Sequence, residues 1–201
     1  MRGAGIHYTP PAGTITTAML DTATSSRLLT YLERSERVVP LALTHNGTSF
    51  QLIENTAYFV YIGRVVQAFT PKHVLFNVGA AGTGAQTAEV GLFSTPASPN
   101  RAAQSLTKLV ASGTVDDLTT TGLKGNTTPF ATSIPAGTYL WAGIRTAMAT
   151  NEPQITGNIG DIALGNSLAL AAAGALTDAG PWTGAIVSIS SSHPGLRISL
   201  D

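Results

Sequence analysis

Among the side chains that could do chemistry, the carboxylates come first. Asp116 and Asp117 are adjacent, while Glu54, Glu89, Glu152, Asp161 and Asp178 are scattered along the chain. A glycosidase-type pair or a calcium site needs carboxylates converging on one point. Neighbours in a strand point to opposite faces, so Asp116 and Asp117 can share a cleft only if the chain turns there. The following Leu118-Thr119-Thr120-Thr121-Gly122 allows such a turn, and the simpler reading is a solvated strand end. His7, His45, His73 and His193 show no ligand spacing, and the absence of Cys removes thiolate ligation and disulfides. Gly79-Ala80-Ala81-Gly82-Thr83-Gly84-Ala85-Gln86 has the outline of a phosphate loop, but Ala85 stands where the Lys belongs, and Thr87 stands where a dinucleotide fingerprint needs its third Gly. That run is expected to be a flexible connection between strands. No Gly-x-Ser-x-Gly elbow occurs. The chain therefore reads as a non-enzyme, without cofactor, metal or catalytic residue.

Two tryptophans carry the remaining chemistry, which is recognition. Tyr139 and Trp141 alternate and so share one strand face, where core packing is the common fate of large aromatics. Trp182 follows Pro181 in a Gly-rich stretch and is the stronger candidate for an exposed ring that touches a glycan or an interface.

Strands must position these residues. Thr56 to Val66, Lys72 to Val78, Glu89 to Phe93, Leu106 to Val110, Gly137 to Arg145, Gln154 to Ile162 and Leu196 to Leu200 are rich in β-formers, and His45-Asn46-Gly47 ahead of Phe50 to Ile53 is a hairpin signal. Thr114-Val115 adds a short piece, and Leu164 to Leu176 reads as a small-residue loop or packed segment too short to cross a bilayer. About eight strands with no intervening helices predict an antiparallel, jelly-roll-like β-sandwich over residues 39–201. Ahead of it, residues 1–38 form a separate segment. Met1 to Gly13, with Pro10, Pro11 and three glycines, reads as an extended arm, with no apolar core of the kind a secretion signal needs. Thr14 to Arg37 favours short helix, and Ile15, Met19, Leu20, Leu28, Leu29 and Leu32 supply an apolar stripe for anchoring or oligomerisation.

The charge balance is 11 basic against 11 acidic residues in 201, and charged residues are 11% of the chain. The typical share is roughly 25%. Neutrality removes the basic footprint of a nucleic-acid binder and the polybasic surface of a membrane binder. So low a charge suggests surface buried against other subunits.

Three stretches then matter together. Val90-Gly91-Leu92-Phe93 before a Pro-rich loop, Leu109-Val110-Ala111-Ser112-Gly113-Thr114-Val115-Asp116, and Ile134-Pro135-Ala136-Gly137-Thr138-Tyr139-Leu140-Trp141-Ala142 resemble the sandwich domains of bacteriophage fibre, spike and capsid-decoration proteins. Gly13-Thr14-Ile15-Thr16-Thr17-Ala18-Met19-Leu20-Asp21 is similar to the linker and trimerisation segments of such fibres. The resemblance implies a virion component assembled in the host cytoplasm: a head fibre, capsid decoration or short tail fibre. It would act as a homotrimer, bind other capsid or tail proteins, and offer the loops Gly79 to Gln86, Thr95 to Ala103 and Gly165 to Trp182 to host-surface glycans. A carbohydrate-binding module is the alternative, and a glycan-cleaving enzyme using Asp116 or Asp117 the more remote one.

Overall fold

The computed structural model describes residues 48–97, 104–158, 167–171, 175–178, 180–184 and 193–200, all within one compact unit spanning Glu36–Asp201. The expected arm, the helical stripe from Ile15 to Leu32 and the His45-Asn46-Gly47 turn lie outside these residues. The described part is mainly β. Its first eight strands are β1 (Thr48–Gln51), β2 (Thr56–Arg64), β3 (His73–Ala80), β4 (Gln86–Thr95), β5 (Gln104–Ser112), β6 (Gly122–Gly125), β7 (Tyr139–Met148) and β8 (Gln154–Asn158). Their pairing is nested: β1 with β8, β2 with β7, β3 with β6 and β4 with β5, all antiparallel. The chain thus doubles back as one long ribbon. Two further antiparallel pairings, β3 with β8 and β4 with β7, roll that ribbon into two sheets. Their orders are β1-β8-β3-β6 and β2-β7-β4-β5.

Four later strands extend them: β9 (Ser167–Ala171), β10 (Trp182–Gly184), β11 (His193–Pro194) and β12 (Arg197–Ser199). The first sheet gains β11 beside β8 and β12 beside β3, while the second gains β9 beside β2 and β10 beside β5.

Apolar alternation decides which faces meet. Phe50, Val74, Phe76, Val78 and Ile155 of the first sheet pack against Tyr58, Val60, Val90, Leu92, Leu140 and Ile144 of the second. Phe50 and Tyr58 bridge the sheets edge to face, with centroids 5.0 Å apart. Each such side chain contributes about 1.5–3 kcal/mol by leaving water.

The two sheets differ on their other faces. β3 alternates between buried and partly exposed residues along most of its length, whereas β2, β4 and β7 are buried over both faces. A second apolar cluster explains this: Ala57, Phe59, Phe93, Leu106, Trp141, Leu176 and Trp182. The second sheet curls around it until its two end strands, β9 and β10, approach each other. Two glycines make room for the rings. Gly91 and Gly143 are cross-strand partners, and a Cβ on Gly143 would stand 2.8 Å from Phe93 Cε2 and 2.9 Å from Phe59 Cδ1.

Several sequence expectations are corrected here. β9 and β10 form where a loop or packed segment was expected, because they are short and rich in small residues, and β6 was not anticipated, being only Gly-Leu-Lys-Gly. Thr114-Val115 contributes only the isolated bridge from Val115 to Asn126.

Candidate functional site

The expected recognition residues sit inside the molecule. Trp141 is fully buried, and its indole N–H donates to Thr95 Oγ1 at 3.2 Å. Trp182 is 3% exposed, packed on Phe93 at 5.0 Å and Phe59 at 6.4 Å between ring centroids. The expectation of an exposed Trp182 is therefore corrected, and neither indole presents a face to a sugar. The reason is the curl of the second sheet, which brings β10 over rings that sequence places far away.

Beside this cluster lies a buried charge network. Glu89 on β4 is directly opposite Arg145 on β7, and the guanidinium donates to its carboxylate at 3.4 Å. The same carboxylate accepts the backbone N–H of Leu176 at 2.7 Å and the Thr177 hydroxyl at 3.1 Å. Arg145 also donates to Asn55 Oδ1 at 2.8 Å, and Asn55 takes a left-handed φ of 57° in the turn before β2. Lys108 Nζ donates to the Thr177 carbonyl. Glu89 is thus a latch that holds the 175–178 segment over the second cluster.

The other candidate groups serve the fold. Asp116 Oδ2 accepts the Gly125 N–H at 2.9 Å, fastening residue 116 along the edge of β6. Asp117 accepts the N–H and hydroxyl of Thr119 at 2.8 and 2.7 Å. These hydrogen bonds hold its carboxyl below the usual value, with Lys124 adding a smaller favourable field. The chain does turn after them, but their carboxylates are engaged separately. Glu152 closes the turn after β7, accepting from Thr146 Oγ1 at 2.6 Å and Met148 N–H at 2.7 Å. The Gly79 to Gln86 run is tied down instead of flexible. Gly82 is buried with its N–H on the Leu118 carbonyl, and Gln86 Oε1 accepts the Leu118 N–H at 2.7 Å. His73 Nδ1 lies 2.8 Å from the Asn126 carbonyl, while His193 opposes Asn158 in β11. Among the described residues no group of three or more His, Cys, Asp or Glu is placed to hold a metal.

Among the described residues, the outer face of the first sheet carries a groove of about 180 Å³, lined by Phe76, Asn77, Leu123, Gly195 and Arg197. Leu123 is 62% exposed, and Asn77 beneath it donates to Thr156 Oγ1 at 2.8 Å. Arg197 makes no ion pair among the described residues.

Compared with protein-family models, curated proteins and solved structures, the chain finds no match.

Sequence reading missed the latch and the groove. The latch left a signal: Glu89 is the one charged residue of β4, next to the apolar run Val90 to Phe93, and Gly91 and Gly143 lie in strand interiors, where glycine marks a close approach. The groove left none, because Leu123 belongs to a strand too short to show a period.

Proposed function

We propose that this chain is a structural, non-catalytic virion component of a bacteriophage: a jelly roll carried on the particle by its N-terminal segment, assembling with copies of itself and with capsid or tail proteins. The observation that carries this is the nested strand order, β1-β8-β3-β6 over β2-β7-β4-β5. A double Greek key produces that order, and viral capsid and lectin domains are built on it. Fold alone leaves function open. The carboxylates add support, since Glu89, Glu152, Asp116 and Asp117 bind backbone N–H groups of their own fold. Low charge also favours assembly, because charged groups are depleted from the buried centres of interfaces.

Co-sedimentation with purified phage heads and tails tests the reading. The full chain is expected to pellet with one of them. A chain lacking residues 1–13 is expected to stay in the supernatant with its β-type circular dichroism intact. Full occupancy by the shortened chain removes the role of the arm, and failure of the full chain on both heads and tails removes the virion reading.

A further inference from the structure

We infer that Tyr61, Arg64 and Tyr139, on the outer face of the second sheet, form a binding site for a sugar that carries a carboxylate. The inference goes beyond the virion reading and does not depend on it.

A bulge builds the group. Along β2, Tyr58, Val60 and Ile62 enter the inter-sheet core, while Ala57 and Phe59 belong to the second cluster and Tyr61 packs against it. Strict alternation would send Arg64 into the inter-sheet core after Ile62. Between Tyr61 and Gly63 the register against β7 shifts by one residue, so that Gly63 opposes Leu140 and Arg64 opposes Tyr139. Gly63 takes a φ of 147° there. The core position passes to Val65, which is fully buried, and Arg64 is exposed instead. Re-aiming a side chain is a recurrent use of bulges beside functional sites.

The result is a square of side chains. Tyr61 opposes Trp141 with ring centroids 5.3 Å apart, and the Arg64 guanidinium carbon lies 6.0 Å from the centre of the Tyr139 ring. Trp141 is the floor: its N–H is fixed on Thr95 Oγ1, which itself donates to the Ala97 carbonyl at 2.8 Å. The other three are open, with Tyr61 and Tyr139 half-buried and Arg64 exposed. Arg64 forms no ion pair among the described residues. A guanidinium resting on a ring presents a planar fork of donors without an acceptor, which is the complement of a carboxylate. Burial pushes the Tyr61 phenol up, nearby Tyr139 adds to this and Arg64 opposes it, so the phenol keeps its proton at neutral pH and can donate. A phenol both donates and accepts, which suits the hydroxyls of a sugar better than a bare anion. The tyrosine rings, with Val66 at 49% exposure two residues beyond Arg64, supply apolar surface for the C–H face of a pyranose. One open guanidinium on a chain of zero net charge fits a single carboxylate and not a polyanion.

Saturation-transfer NMR titration of the full chain with glucuronate, glucose and acetate tests the site. Glucuronate is expected to bind at least about tenfold more tightly than either of the others, since only it engages both the fork and the phenols. Arg64→Lys keeps the charge but loses the fork, and is expected to weaken glucuronate at least about tenfold. Tyr61→Phe and Tyr139→Phe keep the rings and remove one hydrogen bond each, for an expected loss of about fivefold. Circular dichroism checks that each variant keeps its strands. Failure of glucuronate to bind overturns the inference, as does glucose binding equally well or an Arg64→Lys chain that binds like the original. Acetate binding as tightly as glucuronate also overturns it, by leaving a bare anion site. A chain that sediments with heads or tails but binds no glucuronate keeps the virion reading and removes this site, whereas glucuronate binding by a chain that sediments with neither does the reverse.

Discussion

Glu89 shows how one residue can decide what a face becomes. It stands in a run of β-formers on a central strand, 5% exposed, and would be costly there without partners. Arg145, the Leu176 N–H and Thr177 supply them. Truncation should leave the partly buried Arg145 guanidinium with only the Asn55 side-chain carbonyl as partner and the Leu176 N–H buried and unpaired. Glu89→Ala is therefore expected to lower stability by about 3 kcal/mol or more, and Glu89→Gln by about 1–3 kcal/mol, because the amide keeps an acceptor. Urea unfolding followed by circular dichroism measures both, and a loss under about 0.5 kcal/mol for Glu89→Ala would mean that the latch is ornamental. Sequence shows the residue but not its role, since two of its partners lie 87 and 88 positions away.

At the scale of elements, the strongest strands are the legible ones. β2 and β7 carry Tyr, Phe, Val, Ile and Trp over nine and ten residues, enough to show their type without help. β6, β9 and β10 are short or built of small residues, and they become strands only because a neighbour offers a free edge. The 175–184 stretch illustrates this. It holds by Leu176, Trp182 and the Glu89 latch, and the inter-sheet core does not include it. Leu176→Ala is expected to cost about 2–5 kcal/mol. Most of that should appear as local opening: in hydrogen exchange the amides of residues 175–184 should speed up, while those of β3 and β8 keep their protection. A uniform rise across both sheets would show that the strap has no separate stability.

At the scale of the molecule, the two cores share β2, β4 and β7, which present one face to each. Global unfolding should therefore be a single transition. Both tryptophans lie in the second cluster, so their fluorescence reports that core, while far-ultraviolet dichroism reports all strands. The two signals are expected to give the same urea midpoint, and an earlier fluorescence midpoint would mean that the second core melts on its own. The sequence by itself determined a Cys-free, net-neutral, charge-poor β chain with antiparallel sheets and no visible catalytic motif, because composition and period-two alternation are local properties. Only the tertiary structure decided that Trp182 is buried along with Trp141, that Glu89 holds the 175–178 segment, and that Leu123 stands beside a groove. Those outcomes depend on which strands the ribbon brings together when it rolls, and β1 meets β8 across more than half the chain. Burial and complementarity are set by such distant neighbours, so the spacing of residues along the chain could not reveal them.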